Sequence, residues 1–329
     1  MKIYLSLLFC LFGYLLFAGG PGAPYPVHHH HVNAYRNDSL RAKKDSADTM
    51  KVVRRKLIPG VSWASNNSFM GRTDTVDHQL TSPSIAYEGI YGFNASLALS
   101  HSSNLQPVKN AKGKVRKQPA FDEYDAALGW DHDWNKRIST TILNTHSWFD
   151  AKSARIRSVI DNDLNLGAIF DLEYLDAGLN ADWCHGPTTK LGEMKDFFYT
   201  LSLSHDFDVG RIGCSHWELE VEPKISVIYG TQNFYRIYTK GVPIDTLVTT
   251  RAQYQQQLSK LNMLNILLSV PVTLTHAPWS FGLQYDYNMP QNVPAGRSNT
   301  PYPVLLVDLK LTLTGKTIRM KKKKWERGG

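Results

Sequence analysis

No run of about 20 apolar residues occurs anywhere in the 329-residue chain. A mean hydropathy of −0.32 with 20% charged residues therefore excludes a polytopic helical membrane protein. Cysteine is scarce: Cys10, Cys184 and Cys214 cannot build a disulfide scaffold. There is no Gly-rich phosphate loop, no paired-cysteine zinc signature and no Gly-x-Ser-x-Gly elbow, so the commonest nucleotide, zinc and serine-hydrolase chemistries have no foothold. What is present is 42% hydrophobic residues, spread too evenly for a disordered chain.

Lys2, the uncharged run Ile3 to Phe17 and then Ala18-Gly19-Gly20 read as a cleaved export signal over residues 1–20, too short and wrongly flanked for a spanning helix. Cys10 lies inside the apolar run without the small residues a lipoprotein acylation site needs. The formal net charge of +8 belongs to the flanks. Residues 35–56 hold eight bases against three acids, and residues 315–329 hold seven against one, so the body between them is net acidic. The bases are terminal and no recognition motif accompanies them, which argues against nucleic acid and for solvated tails that meet anionic lipid headgroups or an acidic surface.

From about residue 59 the pattern has period two. In 175–183 one face reads Leu175, Ala177, Leu179, Ala181, Trp183 and the other Asp176, Gly178, Asn180, Asp182. The stretches 164–174, 217–229, 264–274, 279–288 and 305–314 alternate in the same way. The spacing predicts twelve strands, near 59–70, 82–89, 92–101, 121–134, 136–149, 163–174, 175–185, 195–207, 216–230, 262–275, 278–288 and 302–315. Short connections alternate with long ones, as in an all-β, antiparallel transmembrane barrel of about twelve strands with short periplasmic turns, long extracellular loops and periplasmic termini. The expected organisation is a signal peptide (1–20), a flexible basic periplasmic arm (21–57), the barrel (58–315) and a basic C-terminal tail (316–329). Residues 251–261 suggest a short helix in the longest loop.

Aromatic placement agrees. Trp130, Trp134, Trp217 and Trp279 fall at the short-turn ends of strands, and Trp148, Trp183 and Tyr287 at the long-loop ends, as two headgroup-level girdles require. A secreted soluble barrel or sandwich also alternates, but twelve strands enclose more space than side chains fill.

Ser82-Pro-Ser-Ile-Ala-Tyr-Glu-Gly-Ile-Tyr-Gly-Phe-Asn-Ala-Ser-Leu-Ala-Leu-Ser100 and Tyr229-Gly-Thr-Gln-Asn-Phe-Tyr235 resemble uncharacterised, porin-like outer-membrane β-barrel proteins of Bacteroidota. The resemblance spans roughly residues 58–315 and implies an outer-membrane location, with lipid and the barrel assembly machinery as partners. It brings no activity or cofactor. One departure is that Lys321–Lys324 and Gly329 stand where such barrels commonly end on an aromatic residue.

The faces opposite the apolar ones carry acids, among them Glu123, Asp125, Asp171, Glu173, Asp176, Asp182, Glu218, Glu220, Glu222 and Asp286, with Arg137, Lys224 and Lys310 as the opposing bases. Acidic walls concentrate cations, so the expected function is a porin-like channel for small cationic or neutral solutes. The rival is a non-conducting structural or partner-binding barrel. A lipid hydrolase ranks below both: Asn144 and His146 share the lipid face of the fifth strand, but no serine stands beside them. No enzyme activity and no cofactor are expected. His28, His29, His30 and His31 form a weak metal-binding candidate with no cysteine or carboxylate close by. Cys184 and Cys214 fall at opposite ends of a strand and are not expected to pair.

Overall fold

Alternating chains with one oily and one wet face solve their edge problem by closing, and in the computed structural model this one does. Residues 51–53, 55–65, 68–70, 72–73, 79–103, 120–150, 160–186, 194–212, 217–234, 256–294, 299–315 and 318–320 are described. Twelve antiparallel strands make the ring: β1 Lys56–Ala64, β2 Leu80–Glu88, β3 Phe93–Ser102, β4 Glu123–Asp133, β5 Ile138–Phe149 and β6 Asn162–Asp171, then β7 Asp176–His185, β8 Lys195–Ser204 resuming as Phe207–Arg211, β9 Glu218–Val221 resuming as Lys224–Gly230, β10 Asn262–His276, β11 Trp279–Pro290 and β12 Tyr302–Leu311. Each strand pairs with the next in sequence, and β12 returns to β1 through pairs such as Asp308 with Ser62. No edge is left open. The signal segment, the His28–His31 run, most of the basic arm, Cys214 and residues 321–329 lie outside the described residues.

Inside and outside are reversed relative to a soluble barrel. Leu128, Ile142, Leu166, Leu179, Leu201 and Leu268 point outward, and Leu128 is 60% exposed. Ser82, Ser100, Thr141, Thr145, Asp163, Asp182, Ser226 and Ser269 point inward and are buried. An apolar belt facing out and a polar wall facing in is the arrangement that a hydrocarbon surround stabilises. The chain is a transmembrane β-barrel.

Several local departures from strict alternation have physical causes. β9 breaks at Pro223, which has no N–H to give the ladder, and β8 breaks opposite it, where His205 N donates to Pro223 O at 3.2 Å. β1 ends at Ala64 rather than near 70, because Ser68–Phe69 and Arg72–Thr73 pair with each other inside the first long loop. β1 also starts at Lys56, inside the expected arm, and Lys51–Val53 pairs antiparallel with Ile318–Met320. Between β9 and β10 the register shifts from Ile228 opposite Asn265 to Tyr229 opposite Met263. Leu264 falls between them and packs inside at 0% exposure, although its period matches outward Ile266 and Leu268.

The short turns are tied by their own residues. Asn135 Oδ1 accepts from Arg137 N at 2.7 Å and Ile138 N at 2.9 Å. Gly92, in the turn after β2, has φ +84°, and a Cβ there would meet Asp131 O at 1.8 Å, so only glycine fits.

Candidate functional site: the acid-lined lumen and its capped mouth

Period two puts Glu123, Asp125 and Asp131 on the inward face of β4, and neighbouring hydroxyls and amides meet them. Ser147 Oγ donates to Asp125 Oδ1 at 2.5 Å, Thr141 Oγ1 donates to Asp131 Oδ1 at 2.6 Å, and Asn94 Nδ2 donates to Asp131 Oδ2 at 2.8 Å. Glu123 is fully buried. On β7, Asp182 accepts from Asn165 Nδ2 of β6 at 2.6 Å. On β11, Asp286 accepts from Gln284 Nε2 at 2.9 and 3.0 Å. Except for the Gln284–Asp286 pair within β11, these bonds cross strands, and all of them hold the carboxylates against the wall instead of letting them swing.

The remaining expected acids lie toward the short-turn end. Asp176 is half-buried in register with Asp171 and Ser204. Glu220 is half-buried opposite Thr273, and Glu222 is half-buried beside the Pro223 break. Glu218 is exposed and lies 3.8 Å from Arg211 Nε. Asp171 and Glu173 are both exposed in the turn after β6. There Asp171 Oδ1 accepts from Glu173 N at 2.8 Å, and Glu173 takes φ +77°. Arg137 is exposed in the turn after β4. Four bases share the inward parity of the strands: Lys56, 3.0 Å from Glu88; Arg211, in register with Glu218; Lys224; and Lys310, 4.0 Å from Asp308.

Sequence reading missed three buried acids: Asp122, Asp163 and Asp196. Asp163 and Asp196 carry the parity of Asn165 and Asp206, so their alternation was a usable signal. Asp122 lies just before β4 and accepts from Ser102 N at 3.1 Å and Ser102 Oγ at 2.9 Å.

Asp196 holds the long-loop mouth. Its Oδ1 accepts from Thr231 Oγ1 at 2.6 Å and Asn233 N at 2.7 Å, and its Oδ2 accepts from Phe234 N at 2.8 Å. Thr231 Oγ1 also accepts from Phe197 N at 3.1 Å, and Asn233 Nδ2 donates to Lys195 O at 2.8 Å. The clasp turns residues 231–234, the heart of the Tyr229–Tyr235 segment, back into the barrel. Phe234 then lies edge-on to Phe69 at 5.4 Å and tilted against Phe198 at 6.1 Å. Ile160, Cys184, Met194, Ile228, Leu258 and Leu264 complete this apolar cluster. Four long loops thus contribute a cap over the β7–β10 sector of a polar lumen.

On the outer wall, Trp148 and Trp183 are exposed near the long-loop ends, and Tyr287 is half-buried opposite Leu268. At the other end Trp130 Nε1 donates to Tyr91 O at 2.9 Å and Trp134 Nε1 to Thr140 Oγ1 at 3.1 Å. Trp279 opens β11, and Trp217 lies 5.0 Å from the His276 ring. Asn144 faces outward between Leu128 and Leu164, and His146 between Ala126 and Asn162. None of these cross-strand neighbours is a nucleophile.

No protein-family model and no curated protein sequence matches the chain. Solved structures similar to it include the NanC porin, at 10% identity and TM-score 0.41 over 79% of this chain and 100% of that one. They also include the KdgM porin, at 8% identity and TM-score 0.42 over 78% and 99%. LpxR from Salmonella typhimurium matches at 10% identity and TM-score 0.42 over 78% and 99%.

Proposed function

We propose that the chain is an outer-membrane, porin-like channel that passes small cationic or neutral solutes, with its short turns periplasmic and its long loops outside. The observation that carries this reading is the charge of the wall. Asp125, Asp131, Asp163, Asp182, Asp196, Glu220 and Asp286 share the inward parity of the strands, against Lys56, Arg211, Lys224 and Lys310 as bases among the described residues. In a lumen walled by low-dielectric sheet such an excess of acids raises local cation concentration and opposes anions.

A second reading, a non-conducting barrel, is favoured by the burial of the inner wall. The inward residues of β5 from Ser139 to Ser147 are all buried, as are Asn265, Asp286 and Asn288, and the apolar cap covers one sector of the mouth. Planar-bilayer recording of the purified chain under a KCl gradient separates the two. Single-channel steps with a cation-selective reversal potential support the channel. A silent bilayer containing folded barrel supports the closed form, and an anion-selective potential overturns the argument from lumen charge.

A further inference from the structure

Four polar side chains stand in one row on the outer wall, at the height where the apolar belt ends. His146 of β5 is directly opposite Asn162 of β6, Asn162 opposite His185 of β7, and His185 opposite Lys195 of β8. Strand spacing makes the row about 14 Å long. One step nearer the mid-belt, Trp183 and Phe197 stack at 6.3 Å with their rings 3° apart, and one step nearer the loops Trp148 meets the His146 ring at 4.3 Å. Asp161 precedes the row, and its N–H donates to His185 O at 2.9 Å.

We propose that this row binds the phosphate of a lipid headgroup. The inference rests on the membrane-spanning reading. An apolar chain lying on Trp183 and Phe197 places its headgroup level with the imidazoles. His146 Nδ1 and Asn162 Oδ1 are 2.7 Å apart, so Nδ1–H is the donor, and Nε2 donates to a phosphate when the ring carries its second proton. Asn162 Nδ2, the His185 ring and the Lys195 ammonium add donors on both sides, a set suited to three phosphate oxygens. Asp161 supplies the counter-charge. Desolvation raises its pKa and the charges of His146 and His185 lower it, so its carboxyl is within electrostatic reach of both imidazoles. Its negative charge opposes that of a phosphate in the row.

The test uses the full chain in a non-ionic detergent, incubated with dilauroyl phosphatidic acid or with phosphate-free dilauroylglycerol, and read by native mass spectrometry. The unaltered chain should retain the phosphatidic acid and not the diacylglycerol. The double variant His146→Gln, His185→Gln should lose about 100-fold in retention, about tenfold for each charge-assisted hydrogen bond removed. Lys195→Gln should weaken retention too, and Asp161→Asn should strengthen it. Heat-modifiable gel mobility checks that each variant is folded, and if the double variant does not fold, the two single charge variants decide. Equal retention by folded unaltered and variant chains, or an unchanged Asp161→Asn, overturns the site. Full displacement by millimolar inorganic phosphate makes it a free-phosphate site and overturns the lipid assignment. A chain that stays soluble without detergent overturns the membrane reading itself.

Discussion

Replacing Asp196 with Ala should open the long-loop mouth without opening the barrel. The carboxylate is 0% exposed and holds three donors, Thr231 Oγ1, Asn233 N and Phe234 N, all of them on buried residues. Each orphaned donor costs about 1–3 kcal/mol, so losing all three costs at least about 3 kcal/mol if the segment stays in place. Opposing that are the burial of Phe234, about 1.5–3 kcal/mol, and its two ring contacts, about 0.5–1.5 kcal/mol each. The terms are of the same size, so the segment loses most of its preference for the closed position. The strand ladders do not depend on Asp196, so heat-modifiable mobility should be unchanged.

Arg236 and Lys240 follow the clasp in sequence and report its opening to trypsin. Where opening is fast relative to cleavage, a shift of about 3 kcal/mol in the local equilibrium speeds cutting by roughly 100-fold. Asp196→Asn keeps one acceptor and should fall between Ala and the unaltered chain. If the lumen conducts, the Ala variant should carry more current. Cleavage of the Ala variant at the unaltered rate would refute the reasoning, because the clasp would then be ornament on a segment held by Phe234 alone.

Leu268→Arg should cost about 2–4 kcal/mol and impair assembly, since Leu268 faces outward at 41% exposure in mid-strand. Its control is Thr273→Arg, which faces the lumen opposite Glu220 and Gly282 and should be tolerated on a heat-modifiability gel, whereas Ser269 at 3% exposure leaves an arginine no room. Gly92→Ala should block assembly, because its Cβ collides with Asp131 O, while Gly210→Ala at the similar φ of +81° meets nothing within 4 Å and should cost only about 1 kcal/mol of backbone strain by thermal melting. Asp125→Asn with Asp182→Asn should reduce cation selectivity in a KCl reversal-potential measurement. Deleting residues 35–50 should raise both conductance and cation selectivity. The cut stops there because Lys51–Val53 is already paired with Ile318–Met320 and Lys56 bridges Glu88.

Strand number, order and facing were readable from alternation because side-chain direction in a strand has period two, and most mid-belt positions of the outer wall are apolar. The places where alternation misled are those where the backbone left the ladder. Leu264 has the period of a lipid-facing residue, yet one register shift beside Tyr229 turns it inward to pack with Phe198 and Ile228. Glu173 has the parity of a lumen acid, but the chain turns at Leu172 and its parity ends there. Bulges and turn lengths depend on neighbouring strands, which a single strand's pattern does not record.

The mouth was harder to read for a different reason. Phe69, Ile160, Met194 and Phe234 come from four separate loops, so no window of sequence holds the cluster. Only Asp196 could have pointed to it. A carboxylate second from the start of a lumen-facing strand, with loop amides beyond the strand's end, has the parity of a pore acid and the position of a cap. The structure resolves that ambiguity by geometry, since Asp196 spends both oxygens on Thr231, Asn233 and Phe234. The wall charge and the mouth closure are therefore built partly from the same residue. A barrel that conducts cations must open the sector that Asp196 holds shut, or pass its solutes along the β1–β4 side, where the described loops add nothing to the apolar cap beyond Phe69 and Met70.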